Sequence, residues 1–128
     1  MLLRANDEIE EFQASALRTL ASAHRLRIIH LVGQRPHEVH ELAELLGITQ
    51  AAASQHLAAL RLAGLVESVR DGRTVQYRLA DRDILTACSL MRGVLVRRLS
   101  RLGDLAAAAS VSGDPGTRPS AGAVSTAR

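Results

Sequence analysis

The stretch from Pro36 to Leu79 constrains this chain more than any other. From His37 it reads HEVHELAELLGITQAAASQHLAALRLAGLVESVRDGRTVQYRL. Leu42, Leu45 and Leu46 give a first helix a narrow apolar stripe, and Gly47 supplies the left-handed residue that ends it. Ile48 is expected to pack inward, while Thr49 offers a side-chain oxygen to the free amides of a second helix. In that helix Ala53, Leu57 and Leu60 recur at helical spacing and so face a core. Gly64 stops it. Two runs of alternating, β-branched character follow, Val66–Arg70 and Thr74–Leu79, and Asp71-Gly72-Arg73 between them is a strong hairpin signal.

Helix, tight turn, helix and β-ribbon is the order of a winged helix-turn-helix, in which the second helix enters the major groove of DNA. The side of that helix opposite its apolar stripe carries Gln50, Ala51, Ser54, Gln55, Ala58 and Arg61. Gln can pair bidentately with adenine, Ser can serve any base, and Ala can lie against a thymine methyl. Such a small, almost uncharged face suits base reading better than phosphate binding. Alone, it is more simply an ordinary solvated surface. The hairpin directly behind it shifts the balance, because Arg70 and Arg73 sit at or beside its tip and Arg78 lies farther along. Basic ribbon tips meet phosphates or an adjacent minor groove.

Leu17–Leu79 also resembles the ArsR/SmtB family of bacterial winged-helix repressors. The matching words are ASAHRLRII from Ala21, Glu41-Leu42-Ala43, TQAAASQHL from Thr49, LRLAGLV from Leu60 and RDGRTVQYRL from Arg70. The resemblance implies a mainly α fold with a small β-hairpin, dimerising through its N- and C-terminal helices. It further implies a homodimer that represses by sitting on a double-stranded operator and leaves when a ligand binds or a residue is modified. The DNA contacts are expected at Thr49, Gln50, Ala51, Ser54, Gln55, His56, Arg61, Arg70, Arg73 and Arg78.

The length of 128 residues suits one domain with a modest core. That domain is placed at residues 1–105. Ser, Gly, Ala, Pro and Thr dominate the remainder, so 106–128 is expected to be a disordered tail, with Ala106–Ala109 able to prolong the last helix. No long apolar run or cationic-then-apolar leader is visible, which points away from a membrane and towards the cytoplasm. The single Cys excludes an internal disulfide framework. Net charge is only +3, and all 16 basic residues are Arg. Their distribution says more than their sum. Asp7, Glu8, Glu10 and Glu11 make the N-terminal arm acidic, whereas the positive excess runs from Arg61 to Arg101. Salt-sensitive phosphate binding would follow, although Arg92, Arg97, Arg98 and Arg101 read more simply as solvating a long helix.

Two amphipathic helices flank this centre. Ile9, Phe12, Ala16, Leu17 and Leu20 form one stripe. After an Asp81 cap, Ile84, Cys88, Met91, Leu95 and Leu102 form another, broadened by Leu85 and Leu99. One winged domain cannot easily cover both stripes, so a second copy is expected to bury them through Ile9, Phe12, Leu17, Ile84, Cys88, Met91 and Leu95. Two recognition helices about 34 Å apart then ask for an inverted-repeat operator.

Signals for an effector are thinner. Metal-sensing relatives use a Cys-x-Cys pair where this chain has Glu38 and His40, which argues against soft-metal thiolate binding. A second family site pairs Asp-x-His with a later His-x-x-Glu; here Asp81 and Asp83 meet Val94 and Arg97, which cannot complete a zinc shell. His37, Glu38 and His40 are weak candidates for zinc, nickel or cobalt as an effector. A polar helix start, with acids favouring its dipole, is the preferred account of them. In thiol-switch relatives paired Cys occupy the places of His30 and Val96, so no intramolecular dithiol switch is expected. Cys88 reads as a small buried hydrophobe. No phosphate loop, nucleophile motif or acid/base pair suggests an enzyme. The alternative function is a winged-helix module for protein contacts, without sequence-specific DNA binding.

Overall fold

A computed structural model describes residues 2–112 of the chain. The elements run α1 (Leu2–Leu20), α2 (Ala23–Gln34), β1 (His37–Glu38), α3 (Val39–Leu46), α4 (Gln50–Leu62), β2 (Val66–Asp71), β3 (Thr74–Leu79) and α5 (Asp83–Ser112). The chain divides into two compact units, one ending at Cys88 and the other starting at Ser89 within α5.

The first unit is built on the expected helix pair and ribbon. Gly47 ends α3 at φ +66°, and Ile48 N–H donates to Ala43 O at 3.0 Å to close the turn. Thr49 caps α4, its hydroxyl accepting from Ala52 N–H at 3.1 Å. Gly64 takes φ +75° after α4, and Leu65 N–H returns to Leu60 O. Each closure satisfies amides or carbonyls that a helix end leaves free. Ala53, Leu57 and Leu60 of α4 are buried, as their spacing predicts. They join Ile28, Ile29 and Val32 of α2, Leu42 and Leu46 of α3, and Leu65 and Val66 in one core.

Three expectations need correction. Leu45 is 59% exposed; Ala43, not Leu45, completes the buried face of the short α3. The sheet has three strands in the order β1-β3-β2, because His37 and Glu38 pair with Tyr77 and Gln76. His37 therefore belongs to a strand, and α3 begins two residues later than a shared His37–His40 helix face requires. Asp71 also belongs to β2, opposite Thr74, leaving Gly72 and Arg73 as the loop. Gly72 has φ +63° and no described non-glycine residue has positive φ, the glycine-first arrangement of a II′ hairpin. Beyond the ribbon, α5 continues past Leu105, through the Ala106–Ala109 stretch expected to be able to prolong it, to Ser112. Four consecutive alanines, the strongest helix formers, carry it there. The rest of the expected tail lies outside the described residues.

Ahead of α5, Asp81 accepts from Asp83 N–H at 2.9 Å. Ile84 and Cys88 then pack against the core of their own unit, so two residues expected at a dimer contact are already engaged. Ile9, Phe12 and Leu17 of α1 are exposed, as are Met91, Leu95, Leu99 and Leu102 of α5. No helix among the described residues is long and apolar enough to cross a membrane.

Candidate nucleic-acid interface

Burying Ala53, Leu57 and Leu60 fixes the rotation of α4 and turns the opposite side outward. Gln50, Ala51, Ser54, Gln55, Ala58 and Arg61 are all exposed there, and Thr49 stands exposed at the start. His56 departs from this group. It is half-buried, and its Nδ1 accepts from Arg25 Nε at 3.2 Å, which directs the ring toward α2. Arg25 also donates from Nη1 to Thr19 O at 3.0 Å, joining the end of α1 to the same point.

The His24 ring lies 5.6 Å from that of His56, with its Nδ1 buried and without a hydrogen-bond partner. Burial, with the charge of Arg25 and then His24 adding to it, holds His56 below the usual imidazole range. A neutral His56 is what the Arg25 hydrogen bond needs, since only a deprotonated Nδ1 can accept. Arg25 thus helps fix the placement of α4, a role that sequence reasoning missed, with the His24 ring packed beside His56. The hydrogen bond spans 31 residues and leaves no periodic trace.

On the ribbon, Arg70 and Arg73 are exposed and have no acidic partner among the described residues. Arg78 differs. Its Nε lies 2.6 Å from Glu67 Oε1, directly across the β2–β3 ladder. The cross-strand pair accounts for Arg78 without DNA, so the ribbon's free cations are those at and beside its tip.

The weak metal candidates do not converge. His37 is buried, its Nδ1 2.8 Å from Arg35 O, while Glu38 and His40 pair with each other at 3.1 Å. No group of three or more His, Cys, Asp or Glu suited to a metal occurs among the described residues. One imidazole and one carboxylate are too few to hold zinc, nickel or cobalt. Instead Glu41 organises this corner. It accepts from Glu38 N–H at 3.2 Å, the return half of a capping box, and from Arg35 at 2.9 Å. Those two bonds, Arg35's first, hold its carboxyl below the usual range. Cys88 is half-buried, and burial pushes its thiol up, leaving little thiolate near neutrality.

Comparison with known proteins agrees with this geometry. Residues 22–68 match the family described as bacterial regulatory protein, arsR family. The HTH-type transcriptional regulator KmtR of Mycobacterium tuberculosis is 43% identical over 67 residues, covering 52% of each chain. The chain thus spans about half the length of that relative. The uncharacterized HTH-type transcriptional regulator Rv0081 of the same organism is 35% identical over 96 residues, 74% of this chain and 84% of its own. Among solved structures, the homodimeric winged helix-turn-helix DNA-binding domain of Mb0332 from Mycobacterium bovis superposes with a TM-score of 0.67. It is 31% identical, over 73% of this chain and 86% of that one.

Proposed function

The chain belongs to the arsR family of bacterial regulatory proteins, and we propose that it is a DNA-binding transcriptional regulator, a homodimeric repressor released from its operator by an effector. One observation carries the reading: the same unit presents an exposed α4 face whose only charge is Arg61, and ribbon-tip arginines without an acidic partner among the described residues. In that reading Gln50, Ala51, Ser54 and Gln55 meet base edges. Arg61, Arg70 and Arg73 meet phosphates, and Thr49 sets where α4 starts. Arg73→Ala should weaken binding to all duplexes alike and reduce the salt slope by about one.

The homodimer draws support from the exposed apolar residues of α1 and α5 and from the homodimeric state named for the Mb0332 domain. A two-fold pair places its recognition helices on an inverted repeat. Such a regulator acts in the cytoplasm, where its DNA is. Selection from random duplex DNA tests the function: the full chain should enrich an inverted repeat. Failure to enrich any sequence would favour the alternative, a winged-helix module whose α4 face meets another protein.

A further inference from the structure

A cavity of about 410 Å³ opens where the end of α2, strand β3 and the first turn of α5 come together, wholly within the unit that ends at Cys88. Arg35, Arg78 and Arg82 line it, with Leu79 and Leu85 among its apolar surfaces. No carboxylate is among its described lining residues. Two of the cations are partly offset by acids outside the wall, Arg35 by Glu41 at 2.9 Å and Arg78 by Glu67 at 2.6 Å. Arg82 is exposed and has no acidic partner among the described residues.

A recess lined by charge of one sign concentrates ions of the other. Its volume lies within the range of small-molecule sites, roughly 300–1,000 Å³. The apolar side is closely built. A Cβ on Gly33 would lie 2.7 Å from Leu85 Cδ2 and 3.2 Å from Leu79 Cδ1, so the absence of a side chain lets α2 meet both leucines. Guanidinium groups beside packed leucines match a ligand that is charged at one end and apolar at the other.

We propose that this cavity binds a small organic acid, with its carboxylate on Arg82 and its hydrocarbon against Leu79 and Leu85. Guanidinium binds carboxylate through paired, charge-assisted hydrogen bonds. The site also has a route to the reading elements. Glu41 holds both Arg35 and the first turn of α3, and Glu67 ties Arg78 across the ribbon. A carboxylate held on Arg82 adds negative charge to the recess that Arg35 and Arg78 also line, which weakens their pairing with Glu41 and Glu67 and so loosens the ribbon and the helix ahead of the turn. This regulatory step rests on the DNA-binding reading above; binding of the acid does not.

Calorimetry on the full chain, without DNA, tests the site with hexanoate as the probe and hexanol and inorganic phosphate as controls. Hexanoate should bind, and hexanol should not. Arg82→Ala should weaken hexanoate about tenfold or more, as removal of a charge-assisted hydrogen bond does, while Arg82→Lys falls between. Arg82 is exposed in the turn before α5, so an unchanged melting temperature should accompany both variants. Absence of hexanoate binding, equal affinity in Arg82→Ala, or phosphate binding as tightly as hexanoate would overturn the assignment. Hexanoate should also lower affinity for a selected duplex. Binding without that drop would refute the regulatory step, whereas failure to bind any duplex would refute the DNA reading and leave the calorimetric result intact.

Discussion

His56 sits on α4 and serves its placement. Its Nδ1 accepts a hydrogen bond from Arg25 Nε, and Arg25 in turn holds the carbonyl of Thr19, so one imidazole helps tie α4 to α2 and α1. Protonation would remove the acceptor and add a charge beside Arg25 and His24. The folded protein resists that proton, and the unfolded chain takes it near the ordinary value of 6.5. Stability from neutral His56 is therefore complete above that value. It falls as pH drops through it, until the lower folded value is reached. Thermal melts between about pH 7.5 and 5 should show wild type losing more stability than His56→Gln, whose amide oxygen can still accept from Arg25. Parallel losses would show that His56 contributes nothing to the pH dependence.

At the scale of elements, α4 was legible because its signals are local. Thr49, the Ala53/Leu57/Leu60 spacing and Gly64 each act within a turn or two, and the structure keeps them all. Strand β1 was not, since two residues carry no periodicity and pair with Tyr77 and Gln76 far along the chain. Leu45 misled for a related reason: an eight-residue helix admits more than one apolar face, and only its neighbours choose between Ala43 and Leu45. The difference is measurable. Leu57→Ala, at 1% exposure, should cost about 2–5 kcal/mol in denaturant unfolding. Leu45→Ala, on the exposed side, should stay within about 0.5 kcal/mol. Equal losses would mean that the buried face of α3 is misassigned.

At the scale of the whole molecule, the sequence stripes of α1 and α5 were visible, but their division of labour was not. Ile84 and Cys88 serve the core of their own unit, while Phe12 is 72% and Met91 61% exposed. Those two side chains belong to the surfaces proposed to pair with a second copy. Phe12→Asp combined with Met91→Asp should turn a dimer into a monomer in sedimentation equilibrium with little change in helical circular dichroism. A variant that stays dimeric would place the interface elsewhere. Pairing matters because one recognition helix reads only a half-site, and two fix both spacing and symmetry. Base reading is proposed for Gln50, Ala51, Ser54 and Gln55 on the exposed side of α4. The most direct test is a fluorescence-anisotropy titration of Gln50→Ala/Ser54→Ala against a selected inverted repeat and a scrambled duplex. Preference for the repeat should fall by about 1–3 kcal/mol for each base that the variant no longer reads, with affinity for the scrambled duplex kept. An undiminished preference would contradict the account.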